Sequence, residues 1–65
     1  MLAINNLRKN HHYRIVNFDE QLKFTVLDVI SDENYLIKTI DSLEIMELQD
    51  ILRYGISSNY ELDEI

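Results

Sequence analysis

Four short apolar runs, separated by small polar clusters, occupy residues 13–48 of the chain. The runs are rich in Val, Ile, Tyr, Phe and Thr, which favour the pleated, half-buried surface of a sheet. The separators are made of residues typical of turns and polar loops: Asp19-Glu20-Gln21, Ser31-Asp32-Glu33-Asn34 and Asp41-Ser42. This pattern predicts strands joined by hairpin turns.

The first two predicted strands cover residues 13–18 and 22–30. In the second strand the apolar positions alternate as far as Val26, and the phase then reverses so that Leu27 and Val29 become the apolar set. A phase change within one strand indicates a β-bulge, which redirects the side chains that follow it. Long, bent strands are typical of small closed barrels.

A third strand is predicted over residues 35–40, but residues 43–48 fit two structures. As a strand, residues 43–48 pair with the third strand; as a helix, they continue into residues 49–54, with Asp41 and Glu44 forming a capping box. We favour the strand, because the apolar residues of this segment do not share one helical face.

The C-terminal part of the chain then contains one or two helical turns over residues 49–54. Gly55 follows them, where a left-handed residue commonly ends a helix. Residues 60–65 begin with clean alternation, with Tyr60 and Leu62 on one face, and predict a closing strand.

Residues 1–11 show no clear period, and Asn5 and Asn6 disfavour a helix. We predict a loosely ordered N-terminal arm over residues 1–11, followed by a single small β-barrel domain over residues 12–65. A chain of 65 residues allows one domain and no second core.

The element order, four meandering strands, one helical turn and a fifth strand, resembles that of SH3-like barrels. The runs that carry the resemblance are YRIVNF, FTVLDVI, YLIKTI, LEIMEL and YELDEI, with QDILRYG before the last. They also resemble small uncharacterised bacterial or phage proteins that end in a helix, Tyr-Gly and a strand. The resemblance implies an all-β, five-stranded barrel with one short helical turn before the last strand. It implies no single function, since SH3-like folds serve many.

Peptide-binding SH3 domains use a tryptophan and a proline in their ligand groove. This chain has neither residue, so the sequence does not predict polyproline recognition.

Acidic residues outnumber basic ones by 12 to 6, for a net charge of −6. Residues 31–65 hold nine of the acidic residues and two of the basic ones. This balance disfavours direct binding to nucleic acid, which depends on Lys and Arg at the phosphates. A chain without a long apolar segment is not expected to enter a membrane, and we expect a cytoplasmic protein.

Candidate catalytic and metal-binding residues are few. Adjacent His11 and His12 point to opposite sides of an extended segment, and zinc needs three or four ligands. Asp28 is an unusual carboxylate in an otherwise apolar strand, and we expect it to mark a bulge or the rim of a barrel. We therefore predict no metal, no cofactor and no enzymatic activity.

The apolar residues exceed what a core of this size can hold, and a contiguous surplus marks a protein interface. The predicted function is a non-enzymatic interaction module that binds another protein, or a second copy of this chain, through an apolar, tyrosine-bearing surface. Tyrosine and arginine are enriched in such interfaces, and the candidate contact residues are Tyr35, Asp50, Arg53, Tyr54 and Tyr60. The alternative is an acidic inhibitor or nucleic-acid mimic, for example phage-encoded, that blocks a basic enzyme.

Overall fold

Two tight hairpins and a longer loop fold the first four strands into a meander, and a fifth strand returns to the first. The computed structural model describes residues 2–65. A 3-10 helix (Ile4–Asn6) precedes β1 (His12–Asn17), β2 (Glu20–Ser31), β3 (Asn34–Thr39), β4 (Ile45–Glu47), α1 (Leu48–Leu52) and β5 (Glu61–Glu64). The strands form one antiparallel sheet in the order β4-β3-β2-β1-β5. The predicted all-β class, with one short helix before the last strand, is confirmed.

Strand β2 is the longest element, and it contains the predicted bulge. Its register with β3 shifts between Val26 and Asp28, where Val26 pairs with Ile37 and Asp28 pairs with Leu36. The expectation that the apolar set changes face is wrong in one respect: Val29, beyond the bulge, is 52% exposed. The part of β2 beyond the bulge, residues 28–31, is therefore exposed, whereas Tyr35, the cross-strand partner of Val29, is buried.

Both ends of the sheet contribute to one core. Leu48, directly after β4, and Leu62, on β5, are fully buried in the same hydrophobic cluster. Five flat strands spaced about 4.8 Å apart would place the two edge strands roughly 19 Å from each other. The segment that follows β4 and α1 nevertheless reaches β1, since Asn17 Nδ2 donates to the Gly55 carbonyl oxygen at 3.0 Å. The open sheet is therefore curled, with β4 and β5 as its two edges.

The N-terminal segment, predicted to be a loosely ordered arm, packs against this sheet. Leu7 is only 6% exposed and belongs to the core. The Tyr35 hydroxyl donates to the Ile4 carbonyl oxygen at 2.6 Å, and the Leu2 amide donates to the Leu62 carbonyl oxygen at 2.8 Å. The packing thus continues across the predicted boundary at residue 11. Met1 lies outside the described residues.

The helix begins at Leu48, later than in the alternative of one helix over residues 43–54. The helical alternative, with a capping box of Asp41 and Glu44, is wrong, because both residues lie in the loop between β3 and β4. Instead, the Glu47 amide donates to the Asp50 carboxylate at 3.4 Å, at the start of α1. Gly55 has the expected left-handed conformation, with φ of 98°. Residues 43–54 are therefore loop, strand and a short helix in turn, and not one long helix.

Among residues 2–65, no helix has the length and apolar character needed to cross a membrane.

Candidate functional site

An apolar cleft of about 530 Å³ lies between the β1–β2 turn and α1. Ile15, Leu22, Met46 and Ile51 form its buried or half-buried floor. At its mouth stand two exposed aromatic side chains, Phe18 and Tyr54, which are 54% and 82% exposed. We call this site the Phe18–Tyr54 cleft.

The curl of the sheet creates the cleft. Ile15 of β1 and Leu22 of β2 are direct cross-strand partners, so their side chains lie on one face. Met46 lies two strands further along the sheet, on β4, and Ile51 lies on α1. All four line the same cleft because bending the sheet brings β4 and α1 over the face of β1 and β2.

The β1–β2 turn holds Phe18 in a strained backbone conformation. The turn has two central residues, Phe18 and Asp19, between the paired residues Asn17 and Glu20. Their φ angles are 52° and 63°, as a type I′ turn requires; Asn-Gly is the usual sequence at these two positions. A bulky residue in the left-handed region costs about 1–2 kcal/mol. The fold therefore carries this cost while leaving the phenylalanine ring half in solvent.

A buried asparagine connects the two sides of the cleft mouth. Asn17 is 7% exposed, its Nδ2 donates to the Gly55 carbonyl oxygen at 3.0 Å, and its Oδ1 accepts from the Ser57 amide at 2.8 Å. The Phe18 amide in turn donates to the Ser57 hydroxyl at 3.2 Å. These three bonds fix the turn that carries Phe18 to the segment that follows Tyr54.

Arg53 lies beside the cleft mouth. Its guanidinium carbon is 5.2 Å from the ring centroid of Tyr54, within the range of a cation–π contact. The contact occupies one face of the Tyr54 ring.

The charge on the β1–β2 turn side of the cleft is negative. Glu20 lines the cleft and is exposed, and its neighbour Asp19 is also exposed. The cations of the same strands lie on the opposite face of the sheet, where Arg14 is the cross-strand partner of Lys23. Arg14 is further engaged by Asp63, with 2.8 Å between Nη2 and Oδ2.

Of the predicted contact residues, Tyr54 lines the cleft, Arg53 lies beside it and Asp50 is exposed on α1 as part of the helix cap. The placement of Tyr35 requires a correction, because this residue is 2% exposed and its hydroxyl is bonded to the N-terminal segment. Tyr35 is a core residue and not part of a contact surface.

Tyr60 is partly buried, and among the described residues its hydroxyl has no hydrogen-bond partner. Burial disfavours the charged phenolate and raises the pKa of Tyr60 above its ordinary value of 10.0.

Sequence reasoning missed Phe18 and Asn17. The sequence pattern predicts that Phe18 is the last residue of the first strand, because alternation carries no information about a left-handed backbone. Asn17 gave a usable signal: it continues the inward series of Tyr13 and Ile15, and a polar residue at an inward position must find internal hydrogen bonds.

The other candidate chemistry is dispersed. His11 Nδ1 lies 3.0 Å from Glu64 Oε2, whereas His12 Nδ1 lies 2.7 Å from Thr25 Oγ1, so the two imidazoles have different partners. Asp28 is exposed at the bulge, as predicted, and accepts from the Val29 amide at 2.9 Å. In the part of the chain that the structure describes, no three His, Cys, Asp or Glu side chains are grouped so that they could hold a metal ion.

Comparisons of the chain with protein-family models, curated proteins and solved structures found no significant match.

Proposed function

We propose that this protein is a non-enzymatic interaction module that binds an apolar segment of another protein in the Phe18–Tyr54 cleft. The observation that carries the proposal is the exposed phenylalanine held in a left-handed turn at the mouth of an apolar cleft. Strained residues cluster at functional sites, and exposed aromatic side chains over an apolar depression are typical of interface anchors.

The energetics support this use of the cleft. Phe18 and Tyr54 remain largely exposed in the folded chain. Burial of apolar surface contributes about 25 cal/mol per Å², and these two rings do not yet contribute it in full. A partner that covers both rings regains that energy without reorganising the site, because the Asn17 bonds already fix the two sides of the mouth.

We also propose that the curled sheet is an SH3-like barrel. The pairing of β5 with β1, the meander of the first four strands and the short helix before β5 support this assignment. The cleft differs from the groove of peptide-binding SH3 domains in that it contains neither a tryptophan nor a proline.

The acidic-inhibitor alternative has its own supporting observation. Eleven of the twelve acidic residues are exposed. Among residues 2–65 the ion pairs involve only Glu61, Asp63 and Glu64 on the acidic side. Nine acidic residues therefore form no ion pair within the described part of the chain and could face a basic partner. This function predicts binding that weakens steeply with salt, whereas an apolar cleft predicts weak salt dependence.

The test is affinity capture from the native host with three forms of the chain, at low and high ionic strength. Phe18→Asn removes the ring and suits the left-handed backbone. Leu43→Asn is the matched control, because Leu43 is also exposed, at 64%, and also has a positive φ, of 57°, but does not line the cleft.

The proposal expects the same proteins to be captured by the wild-type chain and Leu43→Asn at both ionic strengths, and to be lost with Phe18→Asn. Capture that survives Phe18→Asn but disappears at high salt would contradict the cleft and would support the charge-driven binding that the acidic-inhibitor alternative predicts.

A further inference from the structure

We propose that the partner segment is cationic: it places one large apolar side chain in the Phe18–Tyr54 cleft and a neighbouring Lys or Arg against Glu20. This inference rests on the proposed function and adds the chemical class of the partner to it.

The charges around the cleft support a cationic partner. On the β1–β2 turn, Asp19 and Glu20 are both exposed, and Glu20 itself lines the cleft. On the α1 side, Arg53 is the cation beside the mouth. The Glu47 carboxylate does not line the cleft and accepts from Asn34 Nδ2 at 2.8 Å, close to the β2–β3 turn. The two carboxylates on the turn thus outnumber the one guanidinium beside the mouth, and the net charge of −6 adds to the attraction of a cationic segment.

The two sides of the cleft mouth also differ, which orients the segment. Arg53 lies over the ring of Tyr54 and repels a second cation on that side. Glu20 lies on the Phe18 side, directly after the strained turn. The partner's cation therefore lies beside the β1–β2 turn, while its apolar side chain enters between the two rings.

The cleft suits one anchor side chain. Its volume of about 530 Å³ lies within the range of small-ligand sites. Its floor consists of aliphatic and methionine side chains, which adapt to aromatic or branched groups. A single Trp, Phe or Leu with a charged neighbour is the smallest segment that satisfies both the floor and Glu20.

The experiment uses three short synthetic peptides, each with one central Trp flanked by Lys, by Gln or by Glu. The chain contains no Trp, so Trp emission reports the peptide alone. We expect the Lys-flanked peptide to bind about threefold to tenfold more tightly than the Glu-flanked one, as expected for one or two exposed charge pairs. The difference should shrink as salt is added.

Two charge-reversal variants localise the effect. Glu20→Lys should reverse the order of the peptides. Glu33→Lys is the matched control, since Glu33 is exposed in the β2–β3 turn, beyond the opposite end of β2, and gives the same change in net charge. It should leave the order unchanged.

The outcomes distinguish a failure of the cationic-partner inference from a failure of the proposed function. Equal affinity for all three peptides, lost in Phe18→Asn, overturns the cationic partner and leaves the cleft as a binding site. A Lys preference that Glu20→Lys and Glu33→Lys reduce equally overturns the role of Glu20. Absence of binding by all three peptides, or binding that Phe18→Asn does not change, overturns both the partner class and the proposed function.

Discussion

The side-chain amide of Asn17 donates to the carbonyl oxygen of Gly55 at 3.0 Å, across 38 residues of sequence. This bond and the return bond from Ser57 join the β1–β2 turn to the segment that follows α1. The cleft mouth therefore depends on a polar side chain that is itself buried.

Replacing Asn17 with Ala should destabilise the fold by about 1–3 kcal/mol, because the Gly55 carbonyl and the Ser57 amide lose their partner in a part-buried site. Urea denaturation measures the loss. Asn59→Ala, at an exposed position, is the control and should change the free energy of unfolding by less than about 0.5 kcal/mol. Equal effects of the two substitutions would contradict the structural role of Asn17.

The strain at Phe18 is measured by comparing Phe18→Gly with Phe18→Ala. Both variants remove the ring, but only glycine relieves the cost of a φ of 52°. We expect Phe18→Gly to be more stable than Phe18→Ala by about 1 kcal/mol in urea denaturation. An alanine variant as stable as the glycine variant would show that the turn carries no strain.

The packing of the N-terminal segment is tested by Leu7→Ala. Leu7 is 6% exposed, so the substitution should lower the free energy of unfolding by about 2–5 kcal/mol. This is a large fraction of the stability of so small a domain. Asn6→Ala, in the same segment but exposed, should have little effect. If the two variants unfolded at the same urea concentration, the segment would be a loose arm in solution.

Alkaline pH should destabilise the protein through Tyr60. Burial raises the pKa of Tyr60 in the folded state above the value of 10.0 that it has when unfolded. The folded state thus holds the proton more tightly. This contribution is complete below pH 10.0, and it is lost as the pH rises through the folded pKa.

Tyr60→Phe should reduce that alkaline loss, as measured by urea denaturation over a range of pH. At neutral pH the variant should match or exceed the wild-type stability, because the hydroxyl it removes is buried and makes no hydrogen bond among the described residues. A loss of more than about 1 kcal/mol at neutral pH would indicate an internal partner for this hydroxyl.

The strands could be predicted from sequence because their signals are local. Alternation placed Leu62 on a buried face, and the phase change after Val26 located the bulge. Gly55 marked the end of the helix for a similar reason, since a left-handed position favours glycine.

Parts of the site could not be predicted, because they depend on contacts between distant segments. Tyr35 was predicted to be a surface residue, but the N-terminal segment packs over it. Residues 2–7 show no periodicity from which that packing could be predicted. Phe18 continued the pattern of a strand, and its left-handed backbone arose from the register that pairs Asn17 with Glu20.

By itself, then, the sequence determined the class of the fold and the order of its elements. Period-two alternation and turn chemistry act over a few residues, so they can be read without the fold. Only the tertiary structure decided how far the sheet curls and which loops meet, because these follow from packing all strands around one small core. The Phe18–Tyr54 cleft is a product of that packing.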